Sequence, residues 1–116
     1  MPGELPKEAL FAVLGALPLD VTFIDKCDVI RYFSDYRIFN RPPGILGTTV
    51  QGCHKPEGRA AVDRVIAELK SGRIIVSEQP ADKDCRPVRV RYLAVRDAEG
   101  EYLGLVEICE WADGRA

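Results

Sequence analysis

Two stretches of the chain repeat apolar residues at helical spacing, and most of the remainder alternates at strand spacing. Between Leu5 and Leu17, the residues Leu10, Val13, Leu14 and Leu17 recur at i, i+3, i+4 and i+7, which predicts an amphipathic helix. Pro6 suits its first turn, and Pro18 ends it because the residue before a proline is pushed out of the helical region. So short a helix is marginal alone, so its stripe must lie on a sheet or on a partner. The second helical pattern runs from Pro56 to Ser71. Val62, Val65, Ile66 and Leu69 form its stripe, charged residues such as Arg59, Asp63 and Glu68 fill other positions, and Gly72 fits the left-handed cap.

Strand patterns occupy the rest. Val21 to Ile24 and Val29 to Phe33 flank the polar tetrapeptide Asp25-Lys26-Cys27-Asp28, which has hairpin length. Asp35 to Asn40 reads as a short helical turn and Arg41-Pro42-Pro43-Gly44 as a rigid loop. Three further strands are predicted at roughly Arg73 to Glu78, Arg86 to Arg96 and Tyr102 to Trp111. The strict alternation in Val88-Arg89-Val90-Arg91-Tyr92 marks one wet face, and Asp97-Ala98-Glu99-Gly100 makes a hairpin turn. Five strands with the helical segments gathered in the middle predict an α+β fold: one five-stranded antiparallel sheet, helices packed on one face, and an N-terminal flanking helix.

Composition narrows the class without changing that picture. The 116 residues carry 16 Lys and Arg against 18 Asp and Glu, a formal charge of −2, with 47% apolar residues. One domain with an ordinary core fits, and no excess of basic residues marks a nucleic-acid or anionic-membrane surface. The longest uncharged apolar run, Ala9 to Leu19, falls well short of the roughly 20 residues that span a bilayer. The opening Met1-Pro2-Gly3-Glu4 is unlike a secretory leader, so a cytoplasmic location is expected. Cys27, Cys53, Cys85 and Cys109 match neither a C-x-x-C pair nor a zinc ribbon, and small buried thiols are the simplest expectation.

Several segments resemble a known family. Leu17-Pro18-Leu19-Asp20-Val21-Thr22-Phe23-Ile24-Asp25 is similar to the opening of a PAS domain, where a Pro precedes the first strand and an Asp ends it. Val29-Ile30-Arg31-Tyr32-Phe33-Ser34 resembles the second strand, Ile45-Leu46-Gly47 the approach to the long helix, and Val95 to Gly104 the last hairpin. Arg31-Tyr32-Phe33-Ser34, Arg37-Ile38-Phe39 and Val50-Gln51-Gly52-Cys53-His54-Lys55-Pro56 resemble the PAS modules joined to hemerythrin-like domains in prokaryotic proteins. No hemerythrin-like part is present in this sequence. The resemblance implies a flanking helix over 1–16, a PAS-like domain over 17–111 and a tail over 112–116. It also implies a sensory module, standing alone, that binds a small molecule or a partner protein without catalysis and forms a homodimer through the N-terminal helix.

Candidate chemistry is sparse. His54 is the only histidine, and no phosphate loop, Gly-x-Ser-x-Gly or His-Glu-x-x-His motif occurs. Adjacent side chains of an extended segment point apart, so Cys53 and His54 are poorly placed as a nucleophile and base. His54 has two readings: a residue that shapes the entry to the long helix, or a ligand to heme or another metal with Cys53 beside it. In the cavity where such domains hold ligands, the resemblance points to Tyr32, Tyr36, Arg37 and Phe39 together with His54. Arg37 would be a carboxylate clamp in that arrangement, or else a solvated arginine. A third reading keeps only a structural, dimerising role.

Overall fold

The computed structural model describes residues 2–53 and 56–114, the Cys53 side chain excepted. A 3₁₀ turn at Lys7–Ala9 leads into α1 (Leu10–Ala16). Strands β1 (Asp20–Asp25) and β2 (Ile30–Phe33) follow, then two 3₁₀ turns at Pro43–Ile45 and Val50–Cys53, and α2 (Pro56–Ser71). β3 (Val76–Lys83), β4 (Arg86–Arg96) and β5 (Tyr102–Trp111) complete the chain. The five strands form one sheet in the order β2-β1-β5-β4-β3, every neighbouring pair antiparallel. The last strand therefore sits at the centre, between the first strand and the fourth.

The predicted α+β sheet is present, and α2, β4 and β5 begin and end where the pattern placed them. Three expectations need correcting. The N-terminal helix is shorter than Leu5 to Leu17, because its first turn closes as a 3₁₀ helix before α1 begins. Asp35 to Asn40 is not helical: the Ile38 and Phe39 amides donate to the Asp20 carboxylate, at 2.9 and 3.1 Å, and not to carbonyls of a local turn. The third strand starts later than Arg73, since Ile74 N–H reaches back to the Glu68 carbonyl and closes α2 beyond Gly72. It then runs on through Pro80 to Lys83. A proline is tolerated there because β3 is an edge strand. Asp84 and Cys85, both at positive φ (52° and 65°), form the tight turn into β4 that suits the sheet's twist.

The core lies on one face of the sheet. Ile66 and Leu69 of α2 are buried against Ile24, Ile30, Val50 and Leu105. Arg96 holds the helix down at its C-terminal end. Its Nη2 donates to the carbonyls of Leu69 and Lys70, at 2.9 and 3.0 Å, in the last turn of the helix, where carbonyls have no i+4 partner within the helix. A second cluster of Ile38, Val88, Val90 and Cys109 lies on the same face under the segment after β2. α1 keeps apart from both. Its Phe11 ring meets Tyr32 at 5.9 Å, and none of its residues is buried. Among the described residues no helix is long and apolar enough to cross a membrane.

Gly104 fixes how closely β5 approaches β1. It has φ of 149°, and a Cβ there would stand 2.2 Å from the Ile24 carbonyl oxygen and 2.9 Å from the Asp25 Cα. Both obstacles are backbone of the paired strand and cannot rotate away. Gly104→Ala is expected to destabilise the fold by at least about 2 kcal/mol, adding backbone strain to overpacking. Thermal or urea denaturation checks this; a variant as stable as the parent would refute the close approach.

Candidate functional site

Alternation along the strands sends one set of side chains to the helix-bearing face: Asp20, Thr22 and Ile24 from β1; Leu105, Glu107 and Cys109 from β5; Val88, Val90 and Tyr92 from β4. In register, Thr22 stands opposite Glu107, and Glu107 opposite Tyr92. This polar row crosses the centre of the sheet. It divides the face into an apolar half beneath α2 and a half in which charges are buried.

The charged half is held by two ion pairs. Asp20 is fully buried, and its Oδ1 lies 2.7 Å from Arg37 Nη1. Its Oδ2 accepts the Ile38 and Phe39 amides. Arg37 also reaches the Val21 carbonyl and the Thr22 hydroxyl at 3.3 and 3.4 Å, and its Nε reaches the Phe39 carbonyl at 3.3 Å. Glu107 Oε1 accepts from Arg41 Nη2 at 2.9 Å. Ser34 completes the anchorage: its hydroxyl accepts from Val21 N at 2.9 Å and lies within donating reach of the Leu19 and Tyr36 carbonyls.

Electrostatics follow from that packing. Burial pushes the Cys109 thiol up to about 12, and the Glu107 and Asp20 charges add to the effect, so this sulfur stays protonated and is no nucleophile. Burial, then the charge and hydrogen bonding of Glu107, pushes the Tyr92 phenol above its ordinary range. Desolvation lowers the Arg37 guanidinium, while Asp20 opposes the shift.

The apolar half encloses a cavity of about 190 Å³ between α2 and the sheet. Ile24 and Leu105 form its floor, Val62, Val65 and Ile66 its roof, and Val50 one end. Gly58 and Ala61 leave room under the helix, and among the described residues the polar side chains on the wall are Gln79 and Tyr92.

None of the four described residues expected around a ligand lines this cavity. Tyr32 pairs with Phe23 on the opposite side of the pleat and packs against Phe11 of α1. Tyr36 and Phe39 pack against the second cluster, and the Tyr36 hydroxyl accepts from Trp111 Nε1 at 3.2 Å. The carboxylate that Arg37 clamps is the chain's own Asp20, and its remaining nitrogen, Nη2, is buried without a hydrogen bond. His54 and the Cys53 side chain lie outside the described residues. Among the described residues no three His, Cys, Asp or Glu side chains converge on a metal position. Cys27, Cys85 and Cys109 are free thiols; Cys109 is buried as expected, whereas Cys27 and Cys85 are exposed in tight turns.

Sequence reasoning missed Tyr92, Gln79, Arg41 and Glu107. One signal was available: an acid inside the apolar run Leu105-Val106-Glu107-Ile108-Cys109, at the same phase as Leu105 and Cys109, must face inward and needs a partner.

This architecture is matched by known proteins. The family profile described as the PAS domain matches residues 10–110, and the chain belongs to that family. The C-terminal domain of a Streptococcus mutans protein is 30% identical and superimposes with a TM-score of 0.87, over 96% of this chain and 88% of that one. The PAS domain of Bordetella pertussis BvgS is 14% identical (TM-score 0.69; 93% and 87% covered). A PAS domain from Colwellia psychrerythraea is 11% identical (TM-score 0.68; 93% and 98% covered). These last two share the fold alone. No curated protein matches the sequence. The chain is thus a PAS domain, and the likeness to a module linked to a hemerythrin-like domain stays an expectation.

Removing one partner of a buried pair leaves the other charge stranded. Asp20→Ala is therefore expected to cost about 3–5 kcal/mol. The double variant Asp20→Asn with Arg37→Met should recover part of that loss, because no lone charge remains. Urea denaturation of both proteins checks the pair; equal losses in the two would contradict it.

Proposed function

We propose that this PAS domain is a non-catalytic sensor that binds a small molecule in the cavity under α2. The observation that carries this reading is the cavity itself, a space of about 190 Å³ with apolar walls and two polar side chains. An engineered apolar cavity of about 150 Å³ already takes up benzene, so the volume is sufficient for a compact ligand. What supports a binding role over a catalytic one is the chemistry of the neighbours. Asp20 and Glu107 are committed to arginines, the thiol of Cys109 is held protonated, and among the described residues the cavity wall carries no ionisable group other than Tyr92. Titrating benzene into protein carrying ¹³C-labelled methyl groups tests the site. Resonances of Val62, Val65, Ile66 and Leu105 should shift saturably, and Ala61→Trp, which puts an indole into the space, should abolish the shifts. Unperturbed methyls in the parent would refute the reading.

A homodimer through the N-terminal helix is the second part of the proposal. Leu10, Phe11 and Val13 remain exposed, Phe11 at 68%, on a helix of seven residues that cannot be stable through its own hydrogen bonds, and Leu17 just beyond its end is exposed too. A second copy offers the same stripe and would cover both. Light scattering at micromolar concentration should give twice the 12.9 kDa chain mass, and Phe11→Glu should return it to one. A parent protein of single-chain mass would remove this part.

A further inference from the structure

The cavity wall specifies more than size. Among the described residues that line it, none is Lys, Arg, His, Asp or Glu, so these offer no counter-charge to an ion. An anion entering it would be desolvated without a partner and would face the Glu107 carboxylate behind Tyr92. A cation would lose its water to aliphatic side chains, while Glu107 is already taken by Arg41 at 2.9 Å. The described wall therefore favours a neutral occupant.

Tyr92 decides the polarity of its polar group. It stands directly opposite Glu107 on the same face, which brings the two side chains to cross-strand contact distance. An ionised carboxylate is an acceptor only, so the phenol proton is drawn towards Glu107 and the lone pairs of the phenol oxygen are left for a ligand. Gln79, on the edge strand β3, is exposed at the open side of the cavity, and its amide both donates and accepts. The elevated phenol range means that Tyr92 keeps its proton throughout the neutral pH range.

We propose that the cavity selects a neutral, mostly apolar molecule of one ring or two fused rings that carries an O–H or N–H group, which it donates to the Tyr92 oxygen. This rests on the ligand-binding reading above and adds a chemical class to it. The same arrangement ties occupancy to the segment after β2, because the oxygen that accepts from the ligand belongs to the residue paired with Glu107, and Glu107 holds Arg41.

Calorimetric titration with three probes tests the selection: indole, which has an N–H; indene, of nearly the same shape without one; and benzoate, an anion. Indole should bind the parent about tenfold more tightly than indene, the value of one good hydrogen bond, and benzoate should not bind. In Tyr92→Phe, indole should fall to the affinity of indene, while indene binding to the variant confirms that its cavity is intact. Equal affinities of indole and indene in the parent, or benzoate binding as well as indole, would overturn the selection and leave the ligand-binding reading standing. The parent comparison does not depend on how the variant folds. Failure of all three probes to bind the parent would overturn both.

Discussion

The Asp20 carboxylate is the group on which the arrangement of this face depends. It sits at the first position of β1, beside the central strand, and is fully excluded from solvent. Left alone, a charge in that position would cost several kcal/mol. It is stable only because the chain returns to it: Arg37 supplies the counter-charge, and Ile38 and Phe39 supply two backbone N–H donors. Satisfying Asp20 therefore dictates the path of the segment after β2. That segment gives up local helical hydrogen bonds, crosses the sheet, and presents Arg41 to Glu107.

The consequence is a division of labour on one face. Where the segment crosses, charges pair with charges from the same chain, and Ile38, Val88 and Cys109 pack into a cluster of their own. Where α2 crosses, the contacts are between aliphatic side chains, and the small residues Gly58 and Ala61 leave space that no side chain fills. Tyr92 belongs to both halves, with its ring in the cavity wall and its register partner, Glu107, in the ionic half. The proposed ligand site would have to change occupancy without unfolding its surroundings. Here the site is bounded on one side by a paired network and on the other by a helix pinned through Arg96.

Legibility in the sequence followed the range of the interactions. α2, β4 and β5 were readable to their ends because Pro56, Gly72, Asp97 and Gly100 punctuate strong periodicities, all of which are local signals. β3 was misplaced because an edge strand with a proline and a mostly wet surface has neither alternation nor a clear start. The segment at Asp35 to Asn40 was misread because the carboxylate that organises it lies 18 residues away, from Asp20 to Ile38. The contacts around the candidate site are the least legible. Arg37 has the right chemistry for a ligand clamp, but composition cannot reveal that Asp20 occupies it. Tyr92 and Glu107 meet only through strand register, which no motif encodes.

The helix-bearing face holds a self-paired ionic half and an apolar half with a cavity beneath α2. Crystals pressurised with xenon test it most directly, because xenon enters dry apolar cavities and reports position without chemical preference. The account predicts density bounded by Ile24, Val62, Val65, Ile66 and Leu105, and none beside Asp20, Arg37 or Ile38. Xenon seated among Ile38, Val88 and Cys109, with the space under α2 empty, would contradict it.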